Sequence, residues 1–218
     1  MNVLITAATG TEWQEAFHTI TAHHPWENQI KFHISGIGIP ATMFSIAEAI
    51  EHQNPDLIIQ AGIAGSFFMP DKNHQTYVVS QEIFADVGVE ENGLWMDLFD
   101  MGFLQRNDFP YIDKMLINPW IGKYNLLHLQ EVKALTVNEM TTRIERKDQL
   151  IRKYDPFLES MEGAALHYIC LKKSIPFMQL RTISNSVGER DKNKWQMKDA
   201  IHQLNDTLIK YLEKLMDS

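Results

Sequence analysis

The feature that most restricts this chain is an alternation of short, mostly apolar runs with longer amphipathic ones. "NVLITAA" (2–8), "IKFHISG" (30–36), "DLIIQAG" (56–62), "EVKALTV" (131–137) and "IPFMQLRTIS" (175–184) read as strands. Their apolar residues run on instead of alternating, which is the pattern of strands buried on both faces. The intervening stretches 11–23, 39–52, 141–154, 162–173 and 195–216 read as helices. In the last, Ile201, Leu204, Leu208, Leu212 and Leu215 form one stripe at helical spacing. Pro40 suits the first turn of the second helix. "TYVVSQEIFADVGV" (76–89) is a long extended segment, "FLESM" (157–161) a short strand end, and 90–128 is irregular. Alternation of this kind predicts an α/β fold with three α/β/α layers and a central, mostly parallel twisted sheet. With 218 residues and 44% apolar content, one domain over 1–218 can bury a full core without a linker.

Charge and composition exclude several functions. Lys+Arg 20 against Asp+Glu 28 gives a net charge of −8, which disfavours a nucleic-acid duplex or an anionic membrane as partner. No stretch approaches the roughly 20 apolar residues of a membrane span. The N-terminus lacks a basic region ahead of its short apolar run, so no secretory signal is expected. Cys170 is alone, so no internal disulfide can form and a reducing, cytoplasmic setting is expected. Cys170 also sits in an apolar helix and reads as core rather than nucleophile. The histidines show no HxxxH or HExxH spacing, and no metal site is expected. "GIGIPA" (36–41) lacks the third glycine of a dinucleotide fingerprint. Arg143, Arg146, Lys147, Arg152 and Lys153 alternate with Glu145, Asp148 and Asp155, the pattern of a solvated helix face.

In doubly wound sheets the site lies beyond the carboxyl ends of the strands. Four strands here end in unusual residues. The first leads to Glu12 in "ATGTEW". The third ends "QAGIAGS", Gly62 to Ser66. "ESMEGAA" places Glu162 at a strand-to-helix junction, and the last strand gives Arg181, Ser184 and Asn185. Each has an ordinary reading: first-turn acids on a helix dipole, glycines permitting a sharp turn, an ion pair, an Asn–Gly turn. Their predicted convergence on one sheet edge is the argument for a site. Glu162 adds to it, because a carboxylate among small and apolar residues is costly unless paired.

The order "SGIG…QAGIAGS…SMEGAALHYIC…IPFMQLRTISNSVG" resembles the nucleoside phosphorylase and nucleosidase superfamily, over about 1–89 and 131–200. It resembles most the branch of methylthioadenosine/S-adenosylhomocysteine nucleosidases and futalosine hydrolases. "RTISNSVGERDKNKW" and "EIFADVGVEENGLWMDLFDMGF" resemble the futalosine hydrolases more narrowly. The resemblance implies hydrolysis of the N-glycosidic bond of futalosine, releasing hypoxanthine in menaquinone biosynthesis. It implies no cofactor, a small nucleoside as partner and a homo-oligomer, a dimer or larger. It also implies roles. Glu12 activates water, Glu162 beside Met161 grips the ribose hydroxyls, and Arg181 supports that glutamate. Asn185 stands where adenine-specific relatives hold an aspartate, with Ser184 beside it. Ala64 and Gly65 approach the substrate, and Val137 and Asn138 supply contacts to the base.

The Asn185 departure bears on the base. A 6-oxopurine offers two acceptors, N7 and the carbonyl oxygen, where adenine offers an acceptor and a donor. An ionised Asp only accepts, whereas an Asn amide donates two protons. Asn185 therefore permits hypoxanthine, and it permits adenine too. Water is favoured over phosphate as nucleophile, because "TAATGTEW" has no arginine and "QAGIAGSFFMPDKN" offers only Ser66 and Lys72. The alternatives are a methylthioadenosine/S-adenosylhomocysteine nucleosidase, a purine nucleoside phosphorylase, and a non-catalytic nucleoside-binding module. No residue is assigned to the carboxylate of the substrate tail. Phe84, Trp95, Phe99 and Phe103 are left between a tail pocket and the core or an interface.

Overall fold

The computed structural model describes residues 1–26, 28–68 and 75–217; Lys72, weighed above as a phosphate contact, lies outside them. The predicted elements form at nearly their predicted places. Strand β1 (Val3–Ala7) leads through a 3₁₀ turn, Gly10–Glu12, into helix α1 (Gln14–His23). Then come β2 (Ile30–Ile34), α2 (Ile39–Gln53), β3 (Leu57–Ser66) and β4 (Thr76–Phe84). The irregular region contains a hairpin, β5 (Gly88–Glu91) and β6 (Leu94–Asp97). It also holds the two-residue β7 (Leu116–Ile117) and the single turn α3 (Ile121–Tyr124). The chain ends with β8 (Glu131–Thr136), α4 (Ile144–Tyr154), β9 (Leu158–Ser160), α5 (Gly163–Lys173), β10 (Phe177–Ser186) and α6 (Met197–Met216).

Helices cover both faces of the β1–β3 region, as continuous apolar strands require. Val3, Ile5, Leu57 and Ile59 point to one side, where they pack with Ala16 and Ile20 of α1 and with Leu204, Leu208 and Leu212 of α6. Leu4 and Ile58 point to the other, against Ile46 and Ile50 of α2 and Leu166, Ile169 and Cys170 of α5. Cys170 is fully buried, and burial pushes its thiol pKa up.

Most strand pairs in the main sheet are parallel, as expected, but the sheet is mixed. Pairs β1–β2, β1–β3, β3–β10, β4–β8 and β8–β9 are parallel, whereas β4–β10, β3–β9 and β4–β7 are antiparallel. Strands β10, β4, β8, β9 and β3 pair in sequence, and β3 also pairs β10, so five strands close into a ring from which β1 and β2 extend. A ring this small is filled by its own side chains. Ala64, Tyr77, Val79, Val132, Ala134, Leu158 and Ile183, drawn from all five strands, form one buried cluster.

Two expected strand ends also move. The third strand does not turn at Gly62; it runs on to Ser66, beside β10, which reaches Ser186. Gly62 and Gly65 therefore lie inside a strand. A Cβ at Gly62 would overlap Arg181 and approach Glu12 Oε1 to 3.1 Å, and one at Gly65 would lie 3.1 Å from Val187 and 3.4 Å from Asn185 Nδ2. These glycines serve close approach of side chains rather than a turn.

Candidate active site

Strand directions explain how distant residues meet. Arg181 on β10 is in register with Gly62 on β3, and its side chain crosses the space a Cβ there would occupy. Strand β9 runs antiparallel to β3, with Glu159 opposite Gly65. The chain leaving β9 thus travels back towards Gly62 and delivers Glu162 opposite Arg181. Their closest atoms, Glu162 Oε2 and Arg181 Nη2, lie 3.6 Å apart. Arg181 is 1% exposed and also donates from Nη2 to Gln60 Oε1 at 2.7 Å.

Glu162 occupies the N-cap position of α5 without making a capping hydrogen bond. Its Oε1 instead accepts the backbone N–H of Gly38 at 3.2 Å. Burial raises its pKa, the Arg181 charge opposes that rise, and the charge of Glu12 adds to it. Glu12 ends the 3₁₀ turn and is buried. Its Oε2 accepts the backbone N–H of Thr9 at 3.0 Å and its Oε1 that of Ile63 at 3.2 Å. The local first-turn contact and the site position coexist.

On the opposite strand end, Asn185 Oδ1 accepts the Ser184 hydroxyl at 2.8 Å, and Nδ2 donates to Ser186 O at 3.0 Å. Those contacts fix the amide and leave one of its two N–H donors for a ligand. The Ser184 hydroxyl also lies 3.3 Å from Ala64 O.

One cavity of about 310 Å³ gathers Glu12, Ala64, Gly65, Met161, Glu162, Ser184 and Asn185. Arg181 lies beneath it, reaching it through Glu162. Val137 and Asn138 are elsewhere. Val137 packs in the core with Leu135, Leu150 and Val187. Asn138 Oδ1 accepts the Ile39 N–H at 3.0 Å, and its own N–H donates to Asp86. Neither lines this cavity. Nor do Phe84, Trp95, Phe99 and Phe103. Trp95 and Phe99 pack on the core beside α4, Phe84 lies against Tyr168, and Phe103 is 70% exposed. On α4, Arg146 is not fully solvated, because its guanidinium lies 3.9 Å over the Trp95 ring.

Residues that the sequence reading did not single out complete the wall: Met140, Thr141, Glu159, Val187, Trp195 and Met197. Glu159 carried a signal, since a strand over 157–161 puts it on the face of Met161. Among the described residues no group of three or more His, Cys, Asp or Glu is placed to hold a metal ion. No helix among them is long and apolar enough to cross a membrane.

The model of the phosphorylase superfamily matches residues 7–216. The chain belongs to that superfamily. Among curated relatives, futalosine hydrolase of Thermus thermophilus is 28% identical, covering 78% of this chain and 75% of its own length. 5′-Methylthioadenosine nucleosidase of Arabidopsis thaliana is 28% identical over 71% of this chain and 53% of its own. The fold is that of Helicobacter pylori 5′-methylthioadenosine/S-adenosylhomocysteine nucleosidase, at TM-score 0.79, 18% identity, and coverage of 100% of this chain and 98% of the other.

Proposed function

We propose that this chain is a nucleosidase that hydrolyses the N-glycosidic bond of futalosine and releases hypoxanthine. The observation that carries the reading is one cavity that brings together the buried carboxylates of Glu12 and Glu162 and the half-buried amide of Asn185, with the buried Glu159 also on its wall. As the bond breaks, the sugar becomes oxocarbenium-like and negative charge develops on the base. Glu162 binds the ribose hydroxyls, held in place by the Gly38 N–H and Arg181. Glu12 accepts a proton from the attacking water, a role typically worth about 10²–10⁴-fold. The remaining N–H of Asn185 donates to the departing base, and a preplaced donor of this kind stabilises developing charge by a few kcal/mol.

Water as the nucleophile is supported by charge. Arg181 is buried and engaged by Gln60 and Glu162, and phosphate in the cavity would face Glu12. Among the described lining residues Arg190 is the one basic side chain, and it lies on the exposed segment after β10. The same cavity is consistent with cleavage of 5′-methylthioadenosine, a reading supported by the 28% identity to the Arabidopsis enzyme.

The roles are tested on purified protein in phosphate-free buffer, with free base followed by chromatography. Glu12→Gln should lower kcat at least 100-fold while leaving the affinity for futalosine within about threefold. Asn185→Asp should lower kcat/KM for futalosine at least tenfold, because an ionised Asp repels both acceptors of a 6-oxopurine. Turnover unchanged in Glu12→Gln removes the water-activating carboxylate from the reading.

A further inference from the structure

We infer that Glu82 is a positioning residue: its carboxyl completes the cap of the helix that carries Glu162 and ties that helix to the strand that carries Arg181, so that the two meet in a fixed geometry. The inference rests on the nucleosidase reading and adds to it a residue outside the cavity wall.

An N-cap side chain ordinarily accepts the N–H of the second or third residue of its helix. Glu162 holds that position on α5 and turns its carboxylate to Gly38 and Arg181 instead. The second residue is Ala164, and the Thr136 hydroxyl accepts its N–H at 2.7 Å. Thr136 in turn donates to Glu82 Oε2 at 2.9 Å. A hydroxyl has a single proton to donate. An acceptor at Glu82 therefore takes that proton and leaves a lone pair of Thr136 for the helix. Gly163, between Glu162 and Ala164, makes room for the approach, because a Cβ there would overlap Glu82 Oε1.

The other carboxyl oxygen faces β10. Glu82 Oε1 accepts the Gln179 amide N–H at 2.9 Å. Gln179 and Arg181 stand two apart on that strand and share a face. Strand β4 lies between β10 and β8 in the sheet, so one carboxyl on it reaches both neighbours. Glu82, Thr136 and Gln179 are all fully buried, so solvent does not replace a broken link and its loss leaves polar groups unpaired. The Arg181 charge favours the ionised form of Glu82 and of Glu162 alike.

Glu82 and Thr136 thus take over the capping that Glu162 gives up, and this frees an N-cap carboxylate for the ribose. A displacement of about 1 Å in a positioned group can cost about 10²-fold in rate.

The test combines futalosine turnover per folded molecule with hydrogen exchange at the first amides of α5. Glu82→Leu removes both acceptors and should lower kcat at least tenfold and speed exchange at Ala164 at least tenfold. Thr136→Val keeps the shape, removes the hydroxyl and should act alike; it carries the test if Glu82→Leu does not fold. Glu82→Gln should stay within about threefold of wild type on both measures. Its Oε1 serves Thr136, and its amide serves Gln179 Oε1, which has no partner among the described residues. In a Glu162→Ala background, Glu82→Leu should lower kcat by less than about threefold, because the group it positions is already gone. Wild-type kcat in folded Glu82→Leu or Thr136→Val, an equal loss in both backgrounds, or unchanged exchange at Ala164 overturns the proposal. Turnover keeps the two readings apart. A wild type that cleaves futalosine with kcat indifferent to Glu82 refutes the positioning role alone. Exchange at Ala164 that answers to Glu82 in a protein that cleaves nothing refutes the nucleosidase alone.

Discussion

Gly62→Ala adds one methyl group, and the structure makes it expensive. The new Cβ would overlap Arg181 Nη1 and lie 3.1 Å from both Arg181 Cζ and Glu12 Oε1. Ordinary contact between heavy atoms is about 3.5–4.0 Å, so the guanidinium must retreat by roughly 1 Å or more. A surface arginine would swing aside at little cost. Arg181 is buried, tied to Gln60 at 2.7 Å and paired with Glu162 at 3.6 Å, so retreat sacrifices those contacts. Overpacking typically costs about 1–3 kcal/mol, and breaking a buried ion pair about 3–5 kcal/mol. Part of the pairing survives a small shift, which puts the expected loss near 3 kcal/mol. Urea unfolding reads it as a midpoint lower by about 1–2 M, taking a slope of about 2 kcal/mol/M. The same substitution in an Arg181→Ala background should cost less than about 1 kcal/mol, because the clashing group is gone. A loss under about 0.5 kcal/mol in wild type, or an equal loss in both backgrounds, would refute the placement of Arg181 across Gly62.

Other consequences can be checked with the same protein. Burial raises the Glu82 pKa from 4.5 to about 7, with Gln179, Arg181 and Thr136 pulling it back. The folded state thus holds this proton where the unfolded chain has lost it, so stability falls as pH rises between about 4.5 and 7. The shift corresponds to about 3 kcal/mol. Relative to wild type, Glu82→Gln should therefore be more stable at pH 8 than at pH 5 by about that amount, and a difference independent of pH in urea unfolding would contradict it. Gly163→Ala should be destabilised by about 2 kcal/mol or more, since its Cβ would overlap Glu82 and Gln179; a melting temperature equal to wild type would refute that packing. The buried Cys170 thiol should resist a thiol reagent in the native state and react on unfolding, whereas stoichiometric native labelling would refute its burial.

Element types were legible because apolar runs and stripes report burial directly. "NVLITAA" and the Ile201–Leu215 stripe became β1 and α6 almost at their predicted limits. Pairing partners were not legible, because nothing in "FLESM" says that three residues will run antiparallel to β3 and close a ring. The glycines show the same limit. Gly62 in the sequence signals only a missing side chain; that Arg181, 119 positions away, fills the gap is a product of strand register. Glu12, Glu162 and Asn185 converge because they follow strands that the ring brings together. Val137 and Asn138, placed by resemblance through a loosely matched stretch, fall beside the cavity wall instead of on it. Glu159 was passed over because its place on the cavity wall follows from β9 pairing with Gly65, which the sequence does not announce.

The most direct measurement of the central claim is the initial rate of base release from futalosine and from methylthioadenosine, side by side, with and without phosphate. The account predicts hypoxanthine from futalosine at a rate independent of phosphate and at least tenfold above adenine release from methylthioadenosine. Faster adenine release would contradict futalosine as the substrate, and release that requires phosphate would contradict the assignment of water activation to Glu12.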